Sequence, residues 1–494
     1  MFNFLMKKFK IDDIIIFITT FITGLISYTY MSVNLPNNTD TFIKTIRYTH
    51  DTYYLWEIEC GRWARALMTL VFDFLSYYNV VPFFNFIISI ILISISLVIL
   101  FYIFEIDNLI YKILFSCIFI TTPVIVENMS FYFYIVPTCI GLVFTVLSMY
   151  LIIKKYKFVL GSILLCLAIG MYQPFFFLAA TIMLIYYLKQ IINDKNFDFL
   201  IFIKRKYKMF LSLVVSLIIY IIINNIFLMV FNIVSGGRFG SFINVENIKM
   251  SLMKMYGAVL VLPFRSYAGL NTTLLSKFLF LIMYLYIFIK LILILKNNKL
   301  VKNITIILFL LIMPIAMNGF ILAGETVTIR TLIADTMIFL LFIIFASVDT
   351  IVKVNKNNKE TNAIKLFFEN IKTKTNTNKT AGMIVISVLS LFLFHYIYYA
   401  NAYAYHAKLS SDATRTWCIE LVSNIKNKSY YTTDKKIAII GDVKKLDMSD
   451  YYVYGDTDII PTATMGFVSL VEWSFIDSIK EYGALILRKQ VMKK

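Results

Sequence analysis

The sequence predicts a mainly α-helical protein that crosses a membrane many times, and two observations lead to this prediction. The 494 residues are 60% hydrophobic and only 15% charged, with a mean hydropathy of +0.77, whereas a soluble domain is about one quarter charged. Apolar runs of about 20 residues recur along the chain, and each can span a bilayer as a helix. Because a helix satisfies its own backbone hydrogen bonds in lipid, we predict an all-α polytopic fold.

About eleven spans are predicted, with the N-terminus in the cytoplasm. They lie near residues 14–33, 83–104, 109–126, 135–153, 159–171, 175–188, 209–232, 278–295, 303–322, 331–350 and 381–399. The stretch 159–188 is divided at Tyr172-Gln173-Pro174 because a single helix would put its two flanking basic clusters on opposite faces. Two short helices keep both clusters on the cytoplasmic side, as the positive-inside rule favours. Pro174 suits the start of the second helix.

The spans divide the chain into two predicted domains. Residues 1–400 form a transmembrane domain with long outer loops at 34–82 and 235–276, and interfacial helices are expected at 61–78 and 244–262. An odd number of spans places residues 401–494 on the outer side of the membrane. There the pattern predicts a helix over 401–426, followed by a small α/β domain with strands at 436–441 and 484–487.

The net charge of +18 favours a membrane protein over a nucleic-acid-binding one, because the lysines lie in short loops between spans. A disulfide between Cys60 and Cys418, both expected on the outer side, stays open. Three histidines and no clustered cysteines argue against a zinc site. No acidic pair for a divalent ion stands out in the first loop, so we expect no cofactor, and a divalent metal stays open.

The first outer loop contains the densest group of charged and aromatic side chains. His50 and Asp51 begin it, and a carboxylate there suits a general base towards a sugar hydroxyl, although a solvated or helix-capping Asp would look the same. Glu57 and Glu59 are two residues apart, so they would face different directions on a helix. Arg62 and Arg65, one turn apart, suit a phosphate, or equally lipid headgroups.

Three further groups lie at predicted outer ends of spans. Arg330 precedes a long apolar run and is a second candidate for phosphate binding, although anchoring at the membrane interface would also explain it. Glu127 and Asn128 end the third span on the same side. At the predicted turn, Tyr172 would stack on a sugar and Gln173 would hydrogen-bond to it, or both would satisfy helix ends.

Four blocks in this order resemble the serotype-converting O-antigen glucosyltransferases, the Gtr-type membrane enzymes of bacteria and their phages, which are related in architecture to GT-C glycosyltransferases. The blocks are Thr49-His50-Asp51 with Gly61-Arg62-Trp63, then 126–133 (VENMSFYF), then 171–176 (MYQPFF), then Arg330. The resemblance covers roughly the first 350 residues.

The resemblance implies transfer of a glucosyl group from undecaprenyl phosphate to lipid-linked O-antigen at the periplasmic face of the inner membrane. A donor synthase and a flippase would be the functional partners, and the product would be a modified lipopolysaccharide. Asp51 would be the base, and Arg62 and Arg330 would bind the donor phosphate. The residues that would position sugars are His50, Glu127, Asn128, Tyr132, Tyr172 and Gln173.

Two other functions remain as alternatives. A transporter or flippase for a lipid-linked saccharide would be expected to carry charged residues deep in its spans and to show repeat symmetry, and the sequence shows neither. A non-catalytic scaffold leaves the outer acids unexplained.

Overall fold

The computed structural model describes residues 10–34, 50–74, 81–132, 134–233, 248–261, 273–296, 298–323, 329–347 and 376–428. These residues are almost entirely helical, and none of them forms a strand. The predicted α/β domain beyond residue 428 lies outside the described residues, as do the side chains of residues 50–53 and of Cys418. The Cys60–Cys418 disulfide therefore stays a prediction.

Fifteen α-helices are described. They are α1 (Ile11–Asn34), α2 (His50–Glu59), α3 (Trp63–Phe74), α4 (Pro82–Phe104), α5 (Leu109–Thr121), α6 (Pro123–Met129), α7 (Ile135–Lys155), α8 (Phe158–Met171), α9 (Phe175–Asn193), α10 (Phe199–Val230), α11 (Ile248–Val261), α12 (Leu274–Lys296), α13 (Leu300–Asn318), α14 (Ile338–Ser347) and α15 (Asn376–Lys426). Short 3-10 helices at Gly319–Ala323, Ile329–Thr331 and Ile333–Met337 connect α13 to α14.

The membrane-spanning character of the fold is confirmed in outline. Eight described helices are long and apolar enough to cross a bilayer, or nine if the bent pair α5–α6 counts as one span. The predicted number of eleven requires two shorter apolar helices as well, α8 and the segment Ile333–Ser347. At 14 residues, α8 is about 21 Å long, which is less than the ~30 Å hydrocarbon core. Eleven spans therefore remain a prediction.

Lysine side chains bring the predicted cytoplasmic helix ends together at one end of the bundle. Lys154 at the end of α7 lies 2.7 Å from the Glu105 carboxylate, and Lys189 of α9 donates to the Glu105 carbonyl at 3.0 Å. Lys302 at the start of α13 donates to the carbonyls of Ile192 and Asp194 at 2.9 and 2.7 Å. The basic clusters on both sides of α8–α9 therefore share one end, as the division at residues 172–174 predicts. We call it the lysine end.

Two predicted boundaries were wrong for local reasons. The third span is not straight, because it bends by 48° between α5 and α6, where Pro123 begins the new helix. Glu127 and Asn128 consequently belong to α6, which ends at Met129 instead of near residue 126. The second half of the divided stretch continues to Asn193 instead of ending near residue 188, because Lys189 stays helical and reaches the end of α4 with its long side chain.

The last predicted span and the helix expected after it form one continuous helix. α15 runs for 51 residues from Asn376 to Lys426, through the predicted domain boundary at residue 400. Its buried residues between Val385 and Ala407 pack against the bundle, including Phe392 and Tyr403.

The first outer loop contributes a helical hairpin, α2–α3. Only one part of α3 matches the expected interfacial helix, because Trp63 and Arg65 in its first turn are buried while Leu70 and Phe74 are exposed. Gly170 of α8 permits this insertion, since a Cβ there would lie 2.7 Å from the Trp63 ring and 2.9 Å from Ala64. The hairpin therefore enters the bundle by its turn.

Candidate functional site

The turn of the hairpin is a Schellman motif, in which a glycine closes the end of α2. Gly61 has φ +74°, and its N–H donates to the carbonyl of Ile58 at 2.8 Å. The N–H of Arg62 donates to the carbonyl of Glu57, also at 2.8 Å. This pattern uses the last carbonyls of α2 and reverses the chain within two residues. It places Arg62 directly beside the end of α2.

Two side chains from spans hold this turn. Gln173 donates through Nε2 to the carbonyl of Cys60 at 2.7 Å, and the Tyr220 hydroxyl of α10 donates to the carbonyl of Gly61 at 2.8 Å. The amide predicted to bind a sugar therefore contacts the hairpin backbone, and this contact fixes the position of Arg62 relative to the α8–α9 break.

Glu57 is the anion of the turn and contacts two guanidinium groups at once. Its Oε2 lies 3.6 Å from Nη1 of Arg62, and its Oε1 lies 3.5 Å from Nη1 of Arg65. The Glu57 side chain is 0% exposed and that of Arg65 is 1% exposed, whereas Glu59 is exposed. Burial, the largest cause, lowers the pKa of Arg62, but the Glu57 carboxylate raises it, and the resulting pKa lies above the ordinary value. The Arg62 guanidinium therefore stays charged.

Arg65 does not extend to lipid headgroups, as one interpretation of its spacing allowed. Its Nη2 donates to the Thr138 hydroxyl of α7 at 3.3 Å. Its guanidinium carbon lies 4.8 Å from the ring centre of Tyr134 and 5.6 Å from that of Tyr172. Arg62 lies 5.9 Å from the same Tyr172 ring. Aromatic faces stabilise cations at these distances, so both arginines are held against one aromatic wall.

Arg330 reaches the same wall from the other half of the chain. It lies in the 3-10 helix Ile329–Thr331, and its Nη1 donates to the Tyr134 hydroxyl at 3.1 Å. Its guanidinium carbon lies 3.9 Å from the centre of the Phe131 ring, which is stacked on Tyr134 at 5.3 Å. Tyr134 and Tyr172 are thus surrounded by three arginines, Arg62, Arg65 and Arg330. Arg62 and Arg330 are 268 positions apart in the sequence.

The other predicted residues near Arg330 contact its backbone. Asn128 donates to the Arg330 carbonyl at 3.0 Å, and the Tyr172 hydroxyl donates to it at 3.2 Å. Glu127 is buried and accepts a hydrogen bond from the Arg330 backbone N–H. Tyr403 of α15 lies close enough to interact electrostatically with Glu127 and Arg330. We call Glu57, Arg62, Arg65, Glu127, Tyr134, Tyr172 and Arg330 the arginine cluster.

The arginine cluster lies towards the end of the bundle opposite the lysine end. α8 starts at the lysine end and rises about 21 Å to the turn at Tyr172 and Gln173. The hairpin turn contacts Gln173 at that level, and a rise of about 21 Å is shorter than a hydrocarbon core of ~30 Å. Irregular backbone at this depth must be buried in protein or line a water-filled cavity.

His50 and Asp51 lie in the first turn of α2, on the same helix as Glu57. The backbone distance along the helix from Asp51 to Glu57 is about 9 Å at 1.5 Å per residue. Asp51 therefore lies about two turns from the arginine cluster. Tyr132 is buried, and its backbone carbonyl accepts from Asn85 of α4 at 2.9 Å.

Within the described ranges, no group of three or more His, Cys, Asp or Glu side chains is arranged to hold a metal ion. The described side chains of the arginine cluster comprise three guanidinium and two carboxyl groups, so its formal charge is positive. An anion is the ligand such a group of side chains can hold.

Comparison with known proteins identifies the family. The model of the glucosyl transferase GtrII family matches residues 29–348, which is more than half of the chain. The chain belongs to this family. No curated protein and no solved structure matches the sequence significantly.

The GtrII match covers the part of the chain that builds the arginine cluster, from α2 to the 3-10 helix that carries Arg330. Together with the apolar helices, it makes the protein a membrane glucosyltransferase, as the four sequence blocks predict.

Several residues of the cluster had no clear sequence signal. Tyr134 is one of 33 tyrosines, and although it directly follows the block 126–133, nothing in the sequence assigns it a contact with an arginine. Glu57 was recognised only as one of two acids on a helix. Arg65 carried a signal, its one-turn spacing from Arg62, and burial now distinguishes it from a headgroup anchor.

Proposed function

We propose that this membrane protein transfers a glucosyl group, or a closely related hexosyl group, from undecaprenyl phosphate to a lipid-linked O-antigen at the periplasmic face. The observation that carries the proposal is the meeting of Arg62, Arg65 and Arg330 around Tyr134 and Tyr172. A polyprenyl-phosphate donor carries its negative charge next to the anomeric carbon. A positive cluster sunk below the membrane boundary suits such a lipid-anchored anion.

The reaction we propose is a single displacement with inversion. Asp51 accepts the proton of an acceptor hydroxyl, and the oxygen attacks the anomeric carbon. A new bond forms between this carbon and the acceptor oxygen while the bond to the phosphate oxygen breaks. The electron pair of that bond leaves with the polyprenyl phosphate, whose developing charge Arg62 and Arg330 stabilise.

The proposed roles divide the cluster into binding and support. Of the two hairpin arginines, Arg62 is more exposed than Arg65, with 14% of its side chain accessible against 1%. Arg62 would therefore contact the phosphate directly. Four further residues contact the Arg330 backbone or the hairpin turn, so they would lie close to the sugar next to the bound phosphate. They are Glu127, Asn128, Tyr172 and Gln173. His50 and Tyr132 remain proposed sugar contacts on the basis of the resemblance.

The proposal is tested with purified protein in liposomes. The donors are undecaprenyl phosphate linked to glucose, galactose or N-acetylglucosamine, and the acceptor is lipid-linked O-antigen. Mass spectrometry of the polysaccharide should show one added hexose per modified unit with the glucosyl donor. Movement of unchanged donor across the bilayer without any added sugar would instead identify a flippase. No product with any of the three donors would overturn the proposal.

A further inference from the structure

Two buried side chains of the arginine cluster, Tyr134 and Arg65, lie between Arg62 and Arg330. Tyr134 lies between the two halves of the chain, with the Arg65 guanidinium 4.8 Å from its ring centre and the Arg330 Nη1 3.1 Å from its hydroxyl. Arg65 shares the Glu57 carboxylate with Arg62. A continuous path of contacts therefore runs from Arg62 to Arg330.

The buried side chains of this path are well suited to holding the guanidinium groups of Arg62 and Arg330 in fixed positions. Tyr134 is 7% exposed and Arg65 is 1% exposed, so neither side chain is available to a large ligand. Tyr134 is stacked on Phe131, over which Arg330 lies at 3.9 Å. A planar guanidinium held by a ring face and a hydroxyl keeps one orientation, which a flexible side chain in water does not. The burial of this path separates it from the exposed face of Arg62.

We propose that Tyr134 and Arg65 are positioning residues that couple Arg62 and Arg330, so that both guanidinium groups meet one phosphate of the lipid donor at the same time. The inference rests on the proposed function, because it assumes a phosphate ligand between the two arginines. It goes further in assigning the geometry of that site to a hydroxyl and a buried cation that touch no substrate.

A double-mutant cycle tests the hydroxyl. Tyr134→Phe removes the acceptor of Arg330 Nη1 and keeps the ring under Arg65. We expect kcat/KM for the lipid donor to fall about tenfold, the value of one hydrogen bond to a charged group, with most of the change in KM. In an Arg330→Ala background, Tyr134→Phe should lower kcat/KM by less than twofold, because Tyr134 acts through Arg330. Arg330→Lys is the second background if the alanine variant does not fold.

The matched control is Tyr28→Phe. Tyr28 is also fully buried and donates its hydroxyl to a backbone carbonyl, that of Ile120, in another part of the bundle. Removal of the Tyr28 hydroxyl should lower the unfolding temperature of the protein without changing KM for the lipid donor. An equal loss of kcat/KM for Tyr134→Phe in both backgrounds, or no loss in either, would overturn the coupling.

Arg65→Lys tests the other half of the path. It keeps a cation beside Glu57 but removes the planar group that faces Tyr134 and the donor to Thr138. Undecaprenyl phosphate without sugar should raise the unfolding temperature of the wild type, and the rise should shrink in Arg65→Lys and in Tyr134→Phe. An unchanged rise in both variants would refute the inference while leaving wild-type transfer, and hence the proposed function, intact. Absence of both transfer and stabilisation in the wild type would instead remove the proposed function.

Discussion

Glu57 and Arg65 form an ion pair inside the helix bundle, with Oε1 and Nη1 3.5 Å apart and both side chains almost completely buried. The same carboxylate lies 3.6 Å from Arg62 through its other oxygen. A buried charge is tolerated only when it is paired, so the three side chains depend on one another. The hairpin turn that carries Arg62 is thereby tied to α7, where Arg65 ends at Thr138.

Replacing Glu57 should therefore destabilise the protein. Glu57→Gln leaves Arg65 buried without a counter-ion, and breaking a buried pair in this way costs roughly 3 kcal/mol. Thermal unfolding in detergent should show a clearly lower midpoint. The matched control is Glu59→Gln, an exposed acid on the same helix, which should change stability by no more than about 0.5 kcal/mol. Equal midpoints for the two variants would contradict the role of the pair.

Asp51→Asn should abolish transfer and leave the amount of protein in the membrane unchanged. General base catalysis contributes about 10²–10⁴-fold, so we expect a loss of at least about 100-fold in kcat with little change in donor binding. The control is Asp107→Asn, an exposed aspartate in the α4–α5 turn at the lysine end, which should keep full activity. Wild-type rates for Asp51→Asn would remove this residue from the mechanism.

Arg330→Lys keeps the charge but loses the planar fork. The ammonium group cannot lie flat on Phe131 and donate to Tyr134 in the same way. We expect kcat/KM to drop about 100-fold, as for other lost donors to a developing anion. Steady-state kinetics with the lipid donor measure this drop in kcat/KM. The control is Arg205→Lys, because Arg205 is exposed on α10 near the lysine end, and this variant should behave as wild type. A drop below threefold would show that Arg330 does not contact the phosphate.

The sequence predicted the helices well and the site in part, for different physical reasons. Spans follow from apolar runs of bilayer length, a local property, and the break at residues 172–174 follows from charge balance between neighbouring loops. The structure confirms that Lys154 and Lys189 meet at Glu105. The bend before Pro123 was missed, since the apolar pattern continues through it.

The contacts of the arginine cluster depend on packing between distant segments. Tyr134 has no local feature that predicts its position between Arg65 and Arg330, which come from different halves of the chain. Similarly, the alternation of Glu57 and Glu59 predicted that one acid would face solvent, but only the bundle determines that Glu57 is the buried one. Long-range partners of this kind cannot be read from spacing in one sequence.

Lys302 tests whether the lysine end is separate from the site. Its Nζ, on a 5% exposed residue, donates to the carbonyls of Ile192 and Asp194 that end α9. Lys302→Met should cost about 2 kcal/mol, because charged hydrogen bonds are lost, yet activity per folded molecule should stay within twofold. Unfolding midpoints and kcat of the purified variant measure both, against Lys299→Met, an exposed neighbour. A selective loss of kcat would place Lys302 in contact with the reaction.

Gly61 is the backbone element on which the position of Arg62 depends. Its φ of +74° costs an L-residue about 1–2 kcal/mol, and a Cβ there would lie 2.8 Å from the Tyr220 hydroxyl and 3.0 Å from Nε2 of Gln173. Gly61→Ala should therefore lower stability and also displace the hairpin turn from the α8–α9 break. Because Arg62 is the next residue, KM for the lipid donor should rise as well, by about tenfold if one charged contact is lost.

The chain offers a matched glycine for this experiment. Gly257 lies inside α11, and a Cβ there would meet nothing within 4 Å, so Gly257→Ala should stabilise the helix by about 0.5–1 kcal/mol and leave KM unchanged. Opposite signs of the two stability changes, with KM altered only for Gly61→Ala, would locate the effect at the hairpin turn. Loss of stability without a change in KM would mean that the turn supports the fold but does not position Arg62 for the donor phosphate.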